Sequence, residues 1–76
     1  MLHLRITSPT DLTDDVLAVL SDEVAVSSLA VFRGAAVRPS GDVVLADIAR
    51  EAANGLIDQL QGLGLARSGS IHVQPV

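Results

Sequence analysis

The stretch "GDVVLADIAREAANGLIDQL", residues 41–60, changes its hydrophobic period partway along, and that change decides the fold. Residues 42–48 read as a short apolar strand. Further on, Ala53, Leu56, Ile57, Leu60 and Leu63 recur at the three- and four-residue spacing of one helical face. Gly62 or Gly64 can supply a left-handed stop to that helix. Asp47 stands inside the apolar run, and three roles are open to it. It can pair with an arginine across the sheet, cap the second helix, or serve a ligand.

Upstream, "PSGD" (39–42) is turn chemistry, and "VSSLAVFRGAAV" (26–37) reads as the strand that enters the turn. Before it, "SPTD" places Ser8 to N-cap a helix, Pro9 at its first position and Asp11 near its positive end. Leu12, Val16, Val19 and Leu20 give that helix one apolar face, from about Pro9 to Ser21. The two ends of the chain, "LHLRIT" (2–7) and "SIHVQPV" (70–76), alternate with period two. The order βαββαβ is the ferredoxin-like plan of the α+β class. It is one domain over residues 1–76, with an antiparallel four-stranded sheet in the order 4-1-3-2 and both helices on one face.

Composition narrows the function. The net charge is −4, and the five basic residues are all arginine. A phosphate-backbone binder needs a basic stripe to release counterions, so no nucleic-acid partner is expected. No cysteine is present, which removes disulfides, thiol nucleophiles and thiolate metal sites. The longest charge-free runs, Val24–Phe32 and Ser68–Val76, have nine residues each, whereas a spanning helix needs about 20 apolar ones.

Strand parity then assigns the two faces of the sheet. Leu2, Leu4, Ile6, Ala30, Phe32, Val44, Ala46, Ile48, Ile71 and Val73 are expected to point to the helices, with Phe32 buried there. The open face is expected to carry His3, Arg5, Leu29, Val31, Arg33, Val43, Leu45, Asp47, His72 and Gln74. Leu29, Val31, Val43 and Leu45 would form an aliphatic patch of the kind that marks an interface, and a homodimer through it is expected. A five-residue hairpin loop would put Arg33 opposite Asp47 as an ion pair; a strand ending at Ala46 would make Asp47 the helix cap. His3 and His72 share a face on neighbouring strands, but no third ligand is evident, so neither a metal nor a cofactor is expected.

The open face has no aromatic for stacking bases. No CxxC loop, no glycine-rich anion loop after the first strand and no nucleophile–base array stands out. A non-catalytic binding module remains, either an assembly domain or an ACT-like sensor of an anion or amino acid at a dimer interface. A sensor site would lie near the start of the second helix, where free backbone N–H groups and Arg50 favour an anion.

At "SPTDLTDDVLAVL", "RGAAVRPSGDVVLADIAREAANGLIDQLQGLG" and "GSIHVQPV" the chain resembles the N-terminal region of a family of bacterial membrane proteins. This is the "uncharacterised hydrophobic domain" family, domain of unknown function 389. The resemblance covers essentially the whole chain and is most specific at "GDVVLADIAREAAN". It implies a cytosolic domain excised from a multi-pass membrane protein, with that membrane part as its partner. It also marks Asp47, Arg50, Glu51 and Asn54 as family-like positions. It gives them no role, and they are the candidate ligand-binding set.

Overall fold

A computed structural model describes residues 1–65 and 69–75. The elements run β1 (Leu2–Ser8), α1 (Thr10–Asp22), β2 (Val26–Val37), β3 (Ser40–Ile48), a 3-10 turn (Arg50–Ala52), α2 (Ala53–Gly62) and β4 (Ser70–Pro75). The sheet is antiparallel with the order β2-β3-β1-β4, which is the expected ferredoxin-like order read from its other edge. Val76, expected in the last strand, lies outside the described residues.

The core follows from the two periodicities. Leu4 and Ile6 of β1 and Val44, Ala46 and Ile48 of β3 are buried. They meet Val16 and Leu20 of α1, Leu56 and Leu60 of α2, and Leu65 just beyond it. The helices differ at their starts from the expected caps. Pro9 is the residue before α1, not its first member, and no side chain caps it. Ser8 Oγ lies 3.1 Å from the Pro9 carbonyl oxygen, to which it donates, and 3.1 Å from Thr13 Oγ1. Ala52 precedes α2, again without a side-chain cap, so Asp47 does not cap that helix. Asp47 belongs to β3, which runs to Ile48, and the 3-10 turn separates it from α2.

Glycine is required at position 41. An added Cβ there would run into the Ser8 carbonyl, because β1 and β3 approach closely at that point. At the end of α2, Gly64 takes the left-handed conformation, with φ +95, and donates to the Gln61 carbonyl at 3.0 Å.

The structure corrects the reading of β2. Val37 lies opposite Ser40, so the hairpin closes on Arg38 and Pro39, not on a five-residue loop. The ladder is irregular between Phe32 and Ala36, and Ser28, not Arg33, lies opposite Asp47. The offset is odd, and side chains alternate with period two, so every residue from Ser28 to Phe32 falls on the face opposite to the expected one. Phe32 pairs with Val43 and is 49% exposed on the helix-free face, whereas Leu29 and Val31 pair with Ala46 and Val44 on the helix side. The physical cause is Asp42. Its Oδ1 accepts the Gly34 amide at 2.7 Å, where Gly34 has φ +70, and its Oδ2 accepts the Thr13 hydroxyl at 2.6 Å. The chain bulges at residues 33–35 to meet that carboxylate.

Candidate functional site

The ladder registers set out the open face as three rows across β4, β1, β3 and β2. Gln74, His3, Asp47 and Ser28 form the first. His72, Arg5, Leu45 and Ala30 form the second, and Ser70, Thr7, Val43 and Phe32 the third. One half of the face is therefore polar and cationic. The other half, over β3 and β2, is apolar, built from Leu45, Ala30, Val43 and Phe32. The patch expected from Leu29, Val31, Val43 and Leu45 is thus divided: the first two side chains stand on the opposite side of the sheet.

Asp47 has a partner that parity did not supply. His3 lies directly opposite it across β1 and β3, and His3 Nδ1 is 2.8 Å from Asp47 Oδ1. With the carboxylate ionised, Nδ1 carries the hydrogen and donates it, which leaves Nε2 as the open nitrogen. The expected Arg33–Asp47 pair does not form. Arg33 is displaced by the bulge to the helix side, where its guanidinium is 3.2 Å from Asp14 and 3.8 Å from buried Asp42. The Thr13 hydroxyl, the Gly34 amide and Arg33 together hold the Asp42 carboxyl below its ordinary range, against the opposing effect of burial.

The other candidate ligand residues do not converge on Asp47. Arg50 and Glu51 are exposed in the 3-10 turn and Asn54 is exposed on α2, in the helical layer, while Asp47 points to the opposite face. No ion pair joins Arg50 to either carboxylate among the described residues. On the open face, His72 lies opposite Arg5 and diagonal to His3. Among the described residues no group of three or more His, Cys, Asp or Glu is placed to hold a metal ion, and no enclosed pocket opens. The one signal that pointed to the His3–Asp47 pair in advance was their shared face; the offset between β1 and β3 was needed to see them meet.

No protein-family profile matches the chain, and no curated protein does. Solved structures do. A DUF3240 family protein from Shewanella baltica superimposes with a TM-score of 0.78 at 12% identity, covering 99% of this chain and 88% of that one. A putative PII-like signaling protein from Thermus thermophilus does so with a TM-score of 0.73 at 13% identity, covering 99% and 84%. At these identities the likeness establishes the fold alone, an α+β ferredoxin-like domain. Among the described residues no helix is long and apolar enough to cross a membrane.

Proposed function

We propose that this chain is a non-catalytic regulatory domain that works by docking its open sheet face on a partner, and that the partner is the membrane-embedded part of the same bacterial protein. The observation that carries the reading is the apolar half of that face: Phe32, Val43 and Leu45 lie side by side with Ala30, next to Arg5 on β1, and no enclosed pocket opens among the described residues. Such a patch fits a macromolecular surface better than a small molecule, which is bound in concave sites. Face-to-face homodimerisation is less well supported. A two-fold axis through Leu45 that runs across the strands brings Arg5 against Arg5, and one that runs along β3 sets Arg5 against Ala30. The resemblance of "GDVVLADIAREAAN" to the membrane-protein family supplies the partner, and cytoplasmic placement goes with it.

The test uses the full-length gene product. Several runs of about 20 apolar residues should follow in the reading frame. Phe32→Glu with Leu45→Glu should loosen the domain from the rest, read as faster limited proteolysis at the junction. A reading frame without such runs removes the membrane partner, and an unchanged proteolysis pattern removes the docking face.

A second reading is favoured by a separate observation. Arg5 and His72 lie opposite each other on the open face, and neither has a side-chain partner among the described residues. In a domain with a PII-like signaling neighbour, that pair suits a sensor of a small organic anion. The site would then be this pair, not the start of α2.

A further inference from the structure

We infer that β2 is a self-pairing edge: two copies of this chain join antiparallel through Ser28–Phe32, with the two-fold axis at Ala30, to make one continuous eight-stranded sheet. This interface uses the rim of the sheet, so Ala30 and Phe32 border both it and the docking face, while Val43 and Leu45 belong to the docking face alone.

The two edges of the sheet are built differently. An exposed edge offers a row of unpaired backbone N–H and C=O groups, and soluble proteins blunt such edges with short strands, lysine, proline, charge or bulges. The edge strand β4 has six residues and carries Pro75. The edge strand β2 has twelve, with no lysine and no proline, and its two bulges leave the segment Ser28–Phe32 regular between them. Its one charged residue, Arg33, is turned to Asp14 and Asp42 of its own chain. Of the large apolar side chains exposed among the described residues, all but Met1 and Val73 sit on β2 or at its two ends, from Val24 to Val37. Exposure on both faces of one strand belongs to a rim.

Charge and register choose the occupant. The window Val26–Phe32 contains no ionisable side chain, so it demands a neutral partner edge, and on this acidic chain the same window of a second copy meets that demand. Bulges on either side, at Ser27 and at residues 33–35, limit regular pairing to Ser28–Phe32. Centring the axis on Ala30 places Leu29 opposite Val31 of the other copy, twice, on the helix side, where the two are 37% and 36% exposed. The open side then has Ala30 against its equivalent, with Phe32 beside Ser28. Centring on Val31 would set Leu29 against Arg33, which the apolar side chain does not favour. Aliphatic cross-strand pairs of this kind stabilise an antiparallel ladder.

The cysteine-free sequence makes the register directly testable. Directly opposed residues of an antiparallel pair have Cα atoms about 4.5–5.5 Å apart, inside the range of about 4.4–6.8 Å that a disulfide spans. Under mild oxidation with diamide, which takes two hydrogens as two thiols become one disulfide, Ala30→Cys should give a covalent dimer on a non-reducing gel. Ser28→Cys alone should not, because its equivalent lies about 13 Å away along the strand. A mixture of Ser28→Cys and Phe32→Cys should cross-link between the two variants. Leu29→Lys should shift the sedimentation of the otherwise unaltered chain from dimer to monomer. A chain that sediments as a monomer at every accessible concentration overturns the inference. So does a dimer or larger ring in which Ala30→Cys cross-links no faster than Ser28→Cys.

Discussion

The Asp42 carboxylate takes the Thr13 hydroxyl on one oxygen and the Gly34 amide on the other, so a single side chain joins α1, β3 and the bulge of β2. Those hydrogen bonds favour the ionised form, and the folded chain therefore holds this proton less tightly than the unfolded chain does. The sign of the pH effect follows. Above the ordinary carboxylate value, about 3.9, the contribution to stability is fully present, and it is lost as pH falls from there through the depressed folded value. Asp42→Asn removes the charge and leaves one acceptor oxygen where the Gly34 N–H and the Thr13 hydroxyl now each have their own. It should lower the melting temperature by several degrees at pH 7, and the gap from wild type should narrow below about pH 4. Thermal melts of both proteins across that range would show it; a gap independent of pH would mean that the carboxylate's charge does not matter. His3 and Asp47 show the same economy on the other face, where two residues 44 positions apart in the sequence satisfy each other across a ladder.

At the scale of elements, β2 is where sequence and structure part. The boundaries of β2 and the order of the elements were legible, and so was the parity of β1, where Leu4 and Ile6 are buried and alternate with His3 and Arg5; in β3, where Val43 and Leu45 are apolar too, Asp47 marked the open side and Val44, Ala46 and Ile48 are buried. The face of β2 was not legible. Its apolar residues occupy both parities, so the pattern does not choose, and its register hangs on the Gly34 bulge and on Asp42, forty-two residues into the chain and eight beyond Gly34. Half of the candidate site went with it, since Phe32 replaced Leu29 and Val31 on the open face and Arg33 left it. The difference is measurable. Phe32→Ser removes a side chain that contributes little to the core and should cost less than about 1 kcal/mol, while Leu56→Ala opens a cavity in the core and should cost about 2–5 kcal/mol. Urea unfolding of the two variants compares them. A Phe32 variant as damaging as the Leu56 one would restore the buried placement of the ring.

Across the whole molecule the charge is unevenly divided. The chain carries nine acidic residues, and eight of them lie on or beside the helices and turns or, for Asp42, beneath α1. Only Asp47 is on the open face, where His3 engages it, and Arg5 stands there beside His72. An acidic protein thus presents one face on which an anionic group meets no free carboxylate. Exchanging Arg5 for Glu tests what that face is for, because the site is exposed and the substitution should change unfolding free energy by no more than about 0.5 kcal/mol. If the face senses an organic anion, the ligand at about ten times its dissociation constant should stabilise the wild-type domain by about 1.4 kcal/mol. That gain should vanish in Arg5→Glu. It should also shrink as salt rises from 0.1 to 1 M and the screening length falls from about 10 to about 3 Å. If the face docks on the remainder of a larger protein, no small anion should stabilise the isolated domain. Arg5→Glu should then act only in the full-length protein, as faster proteolytic release. The two outcomes exclude one another, so one substitution read in both settings decides between the sensor and the docking module.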